Sequence, residues 1–126
     1  MNLDVTIVIC DDSVLIRKKL RGLLEELGYD RIHEALDGEQ AVAIAREQRP
    51  DVVFMDIVMP VKTGIEALRE IREALPETKV IMASSVGTQS NLKEAIKLGA
   101  YDFVQKPISA EAIKRVMEKA TGRGEQ

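Results

Sequence analysis

Five times along this chain a short apolar run gives way to a segment whose apolar residues recur every three or four positions, and that alternation limits the folds open to it. The runs are DVTIVIC (4–10), RIHEAL (31–36), DVVFMD (51–56), KVIMAS (79–84) and YDFVQ (101–105). They read as strands, and the third is apolar throughout its middle, as expected of a strand covered on both faces. The segments between them read as helices. The first, from Ser13, carries Ile16, Leu20, Leu23, Leu24 and Leu27 on one face and stops at Gly28. Asp37 caps the second, which holds Ala41, Ile44 and Ala45. Thr63 and Glu66 form a capping box ahead of Ile65, Leu68, Ile71 and Leu75. The fourth starts at Ser90, carries Leu92, Ala95 and Ile96 and closes at Gly99. Ser109 caps the fifth, with Ile113, Val116, Met117 and Ala120.

Strands that alternate with helices imply a parallel sheet with helices on both faces. Right-handed crossovers make it a doubly wound α/β sheet of five strands. The 126 residues are 45% hydrophobic, enough for one core, so residues 1–126 read as a single domain. The polar end TGRGEQ (121–126) reads as a frayed tail or the start of a linker.

Doubly wound sheets bind ligands outside the carboxyl ends of their strands, beside a switch in strand order. At the first such end, TIVICDDS (6–13), an apolar run finishes in two adjacent carboxylates, Asp11 and Asp12. Neighbouring like charges repel, and a buried carboxylate is costly unless something compensates it. The third strand ends at Asp56, the fourth at Ser84, and the fifth just before Lys106. In the strand order 2-1-3-4-5, one of the two common orders for such sheets, these four ends are neighbours. Three carboxylates and one ammonium leave two negative charges, which one divalent cation would neutralise. Mg²⁺ takes oxygen ligands, one or two carboxylates among them, and commonly shares its shell with phosphate. Asp56 is then a further ligand or a nucleophile. Each piece has a plain alternative: a solvated strand end, a helix cap, a turn serine, a surface lysine. Their coincidence at four adjoining strand ends is what those alternatives do not explain.

The pair at 11–12, MDIVMP with Gly64 downstream, Ser84, and DFVQKP together resemble the receiver domains of two-component response regulators, over residues 6–121. Without an output domain attached, the chain is most similar to the single-domain chemotaxis type. The resemblance implies a flavodoxin-like fold and a set of roles. Asp56 would accept a phosphoryl group from the phosphohistidine of a sensor histidine kinase. Asp11, Asp12, Asp56 and the backbone carbonyl of Val58 would hold Mg²⁺. Lys106 would pair with Asp56 at rest and contact a phosphoryl oxygen afterwards. Ser84 would hydrogen-bond the phosphoryl group, and Phe103 would be the aromatic switch; its plain alternative is an ordinary strand aromatic. The bond from Lys106 to Pro107 would be cis, aiming the lysine over the crevice. The fourth helix, fifth strand and fifth helix would form the output face toward a downstream protein or domain.

Two departures from the family pattern stand out. Thr63 replaces an acidic residue common before the loop glycine, and still serves as a cap. Val58 and Val86, which flank the acceptor in the family, are apolar and cannot orient an attacking water, so the acyl phosphate is expected to be long-lived.

The basic cluster IRKKLRG (16–22) sets Arg17, Lys18, Lys19 and Arg21 mostly away from the apolar stripe. It reads as a solvated helix face or, by resemblance, a kinase docking surface. A net charge of −3 argues against nucleic acid. No apolar run approaches the roughly 20 residues that span a bilayer, and MNLDVTIV lacks the features of a secretory signal, so a cytoplasmic chain without membrane insertion is expected. Cys10 and His33 are single, which excludes an intrachain disulfide and a Cys/His zinc cage. Cys10 reads as a core residue and His33 as structural or solvent-facing.

Two other function classes compete. A Mg²⁺-dependent phosphohydrolase of the haloacid dehalogenase type would need Asp-x-Asp at the acceptor, where this chain has Val58. A phosphorylation-independent interaction module on the same fold would not need the complete set of site residues. A nucleotide-binding enzyme is disfavoured because no G-x-x-x-x-G-K-[ST] follows the first strand.

Overall fold

A computed structural model describes residues 4–85 and 87–122. In chain order its elements are β1 (Thr6–Cys10), α1 (Val14–Glu26), β2 (Arg31–Ala35), α2 (Gly38–Gln48), β3 (Val52–Asp56), α3 (Gly64–Ala74), β4 (Lys79–Ser84), α4 (Gln89–Lys97), β5 (Asp102–Gln105) and α5 (Ala110–Thr121). All strand pairs are parallel, and the sheet order is β2-β1-β3-β4-β5. The doubly wound α/β fold read from the alternation is the fold observed.

The period of two along each strand divides the core between the sheet's faces. Val8, Cys10, Val53, Met55, Val80 and Met82 point to one face, where α2, α3 and α4 cover them. Ile7, Ile9, Phe54, Ile81 and Val104 point to the other, beneath α1 and α5. Right-handed crossovers require this division. The chain moves outward from β1 to β2 over α1, then reverses and lays α2, α3 and α4 on the opposite face. The reversal opens the crevice between β1 and β3.

The caps at Ser13, Asp37 and Ser109 and the box at Thr63 and Glu66 are all present. Gly28 follows α1 with φ 98°. Three readings need correction. α4 begins at Gln89, and no side-chain hydrogen bond caps it. The nearby Thr88 hydroxyl instead donates to Ser85 O (2.7 Å) and accepts from Ser85 N (3.1 Å), closing a turn of its own. Ile96 of α4 is 54% exposed and does not face the core. Arg17 is not on the outer face of α1; it is buried at 6% exposure, and Arg21 folds over β2. At the carboxyl end α5 runs through Thr121, with Gly122 as its left-handed cap; residues 123–126 lie outside the described residues, as does Val86. No described helix is long and apolar enough to cross a membrane.

The loop from β3 to α3 is crowded. A Cβ on Gly64 would lie 2.0 Å from the backbone oxygen of Asp56, and one on Gly38 would lie 2.2 Å from that of Lys62. Only glycine admits these approaches. Between them Val61 takes φ 68° while Lys62 N donates to Pro60 O at 2.8 Å. That i→i+2 bond around a positive φ is the rarer, strained γ-turn. A β-branched residue there is a clear outlier, and Val61 is 75% exposed, so it recovers little by burial. Asn takes a positive φ several times more readily than other side chains. Val61→Asn should therefore raise the unfolding free energy by about 1 kcal/mol in urea titrations; an unchanged or lower value would show that the turn is not strained.

Candidate functional site

The carboxyl ends of β1, β3, β4 and β5 bring five of the side chains singled out from sequence to one crevice. Asp11 follows β1 and is 4% exposed. Its Oδ1 accepts from Ser13 N at 2.8 Å, and its Oδ2 from Lys106 Nζ at 2.7 Å. Asp56 ends β3 and is 8% exposed, with Oδ1 3.1 Å from the same Nζ. Asp12 is exposed at the mouth. Oxygen atoms of Asp11, Asp12 and Asp56 all lie within 4.8 Å of one another. Ser84 closes β4, buried, and its carbonyl accepts from Lys106 N at 2.8 Å. The peptide from Lys106 to Pro107 is cis, as expected.

Val58 lies two residues beyond Asp56 and is 63% exposed. Phe103 is half-buried on β5 and packs against the apolar cluster on the α2–α4 face. Cys10 is buried, its Sγ 3.2 Å from both Asp37 O and Met59 Sδ, and burial pushes its thiol pKa far up, which fits the core role read for it. His33 is half-buried on the edge strand β2.

Burial and then the negative charge of Asp11 push the Asp56 carboxyl above its usual range, against the pull of Lys106. Burial depresses the Lys106 ammonium, but its hydrogen bond to Asp11 and the charge of Asp56 outweigh that and hold it above its ordinary value. The crevice is thus short of positive charge. Three convergent carboxylates with one ammonium are a hard-oxygen donor set, and they fit a Mg²⁺-sized cation.

Two participants were missed from sequence. Arg17 Nη1 donates to the backbone oxygen of Asp11 at 2.7 Å, and its Nε to Glu34 Oε1 at 2.9 Å. The signal was available. Arg17 stands three residues before Leu20 and seven before Leu24, inside the buried stripe of α1.

The sequence of residues 7–118 matches the family of the response regulator receiver domain. The chain belongs to that family. Among curated relatives it is 47% identical over 115 residues to Protein CcdB of Bacillus subtilis, covering 88% of this chain and 96% of the relative. It is 37% identical to the chemotaxis protein CheY of Thermotoga maritima, covering 91% and 96%. Among solved structures, the receiver domain of NtrX from Brucella abortus superposes with a TM-score of 0.85 at 35% identity, over 90% of this chain and 96% of that one. The receiver domain of the sensor histidine kinase PA1611 from Pseudomonas aeruginosa, described with a magnesium ion coordinated in its active site cleft, gives 0.84 at 28% identity over 94% and 98%. Receivers are phosphoryl-accepting switches that bind Mg²⁺ at an acidic site, and in this receiver the acidic cluster lies at the strand ends.

The upward shift of Asp56 has a consequence for stability. A group that binds its proton more tightly when folded favours the fold at low pH, and that benefit is lost as pH rises through its folded pKa. At pH 7 the ionised carboxylate therefore costs stability. Asp56→Asn should raise the thermal midpoint at pH 7 without Mg²⁺, and the gain should shrink as pH falls into the carboxylate range. Thermal melts between pH 4 and 7 check this; a lower midpoint at pH 7 would contradict it.

Proposed function

We propose that this receiver takes a phosphoryl group from the phosphohistidine of a sensor histidine kinase onto Asp56, and that the modified form acts on a downstream protein through α4, β5 and α5. The observation that carries the reading is the contact of one ammonium, Lys106, with both Asp11 and Asp56 beside the third carboxylate. In the transfer, a carboxylate oxygen of Asp56 forms a bond to phosphorus as the bond from phosphorus to the donor nitrogen breaks. The histidine leaves with that electron pair. Asp11, Asp12, Asp56 and the carbonyl of Val58 would hold Mg²⁺, which supplies positive charge against the phosphoryl oxygens. Lys106 releases Asp56 and turns to a phosphoryl oxygen. Ser84 donates its hydroxyl to another.

The modification replaces one negative charge by roughly −1.5 to −2. Ser84 is drawn to the new acceptors, and the chain after β4 follows. Phe103, half-buried between core and surface, turns inward in response. Exposed Ile96 marks the output face on α4. The chain modifies only itself, as one cytoplasmic receiver over residues 1–126. Its likeness to chemotaxis proteins supports action by protein contact.

The kinase would dock over the start of α1. There Leu15, 76% exposed, joins Ile16, Lys19, Pro107 and Ile108 around a groove of about 220 Å³ that Lys106 also lines. A kinase segment seated in this apolar groove would bring its phosphohistidine toward Asp56, since Lys106 lines the groove and contacts Asp56. Leu15→Asp should slow phosphotransfer from the kinase while leaving acetyl phosphate as good a donor as before; equal slowing with both donors would remove docking from α1.

Incubation with Mg²⁺ and acetyl phosphate should give one base-labile adduct, detected by intact mass and absent from Asp56→Asn. Multiple turnover of a phosphate ester would instead mark a phosphohydrolase. Val58→Asn places an amide where a water can be oriented, and the adduct should decay several times faster; an unchanged half-life would mean that Val58 does not set its lifetime.

A further inference from the structure

Arg17 carries a charge into the interior at 6% exposure. A buried guanidinium must be paired and hydrogen-bonded. Its two bonds go to different elements: Nε to Glu34 on β2, and Nη1 to the backbone oxygen of Asp11 at the end of β1. Glu34 is itself gripped from the other side, its Oε2 2.7 Å from Arg21 Nε, while Arg21 Nη2 reaches Ile32 O at 3.0 Å. The hydrogen bond from Arg21 holds the Glu34 carboxyl below its usual range, with Arg17 adding to the effect, so the brace stays ionised.

The atom at the end of this chain of contacts matters. The Asp11 carbonyl belongs to the peptide that joins the two acidic residues. Asp11 has its carboxylate fixed by Ser13 N and Lys106. The Asp12 carboxylate meets no hydrogen-bond donor or cation among the described residues. Its aim toward Asp11 and Asp56 therefore depends on the backbone that carries it.

We infer that Arg17 is a positioning residue for the divalent-ion site: braced by Glu34, it fixes the peptide between Asp11 and Asp12 and so keeps the Asp12 carboxylate in the cluster. This rests on the reading of that cluster as the Mg²⁺ site. Partners that orient metal ligands commonly matter for affinity although they never touch the ion. A packing role alone would be different, because it would lower stability without selecting the metal.

The test is direct Mg²⁺ binding by calorimetry, with thermal melts on the same samples. Arg17→Met should weaken the Mg²⁺ dissociation constant by about tenfold. Arg21→Met loses the same Glu34 partner but leaves the Asp11 carbonyl held, so its affinity should stay within about twofold of the original even where its midpoint falls. Unchanged affinity in Arg17→Met overturns the inference, as does an equal loss in Arg21→Met. If Arg17→Met does not fold, Arg17→Lys decides. It keeps a charge beside Glu34 but lacks the fork that spans both acceptors, so unchanged affinity there overturns the inference too. Absence of Mg²⁺ binding by the unsubstituted protein is distinguishable from all of these, and removes the site reading itself together with the inference.

Discussion

Two carboxylates sunk at adjoining strand ends, Asp11 and Asp56, share one ammonium, and much of this molecule is arranged around that imbalance. The sheet places their backbones side by side, since β1 and β3 are neighbours in register. Lys106 arrives from β5, on the far side of β4, and bonds to both. One cation against two buried anions, with Asp12 adding a third at the mouth, leaves a deficit that folding alone does not remove. The neutralising charge must come from outside the chain. A receiver built this way trades some stability for an acidic cluster that suits a cation.

Most of this was legible in the sequence because it follows from periodicity. Strand and helix periods fixed the order of elements, and four of the expected caps formed on the residues chosen for them. The crevice was legible because a parallel sheet puts all its strand ends on one side. The misreadings come from side chains whose chemistry and surroundings disagree. The spacing of the basic cluster reads as setting Arg17 away from the apolar stripe, yet Arg17 shares the buried face of α1 with Leu20 and Leu24, and Glu34 of β2 provides the counter-charge that makes burial tolerable. Ile96 reads with Leu92 and Ala95 as the apolar set of α4, but Ala95 takes the core position and Ile96 beside it is exposed. Neither partner relation can be read from composition or period: Arg17 meets Glu34 because α1 lies against β2, and Thr88 meets Ser85 in a turn local to the chain after β4.

The β3–α3 loop illustrates a different limit. Gly64 and Gly38 admit backbone where side chains would collide, so the loop is pressed against both Asp56 and the start of α2. Lys62 is tied to Glu70 of α3, and Met59 is buried over Cys10. These contacts over-determine the loop and hold Val61 in a conformation it would not choose. The crowding is local to the loop that carries Val58.

On the other wall, the carbonyl of Ser84 is bonded to the amide of Lys106. Ser84, which closes β4, and Lys106, which follows β5, thus hang from a single backbone hydrogen bond. Neither backbone can be displaced alone without breaking that bond. A displacement of the serine side chain must therefore be taken up by rotation about its own bonds or by the chain beyond Ser85, while the backbone amide of Lys106 stays anchored as a fixed point against which the displacement is measured.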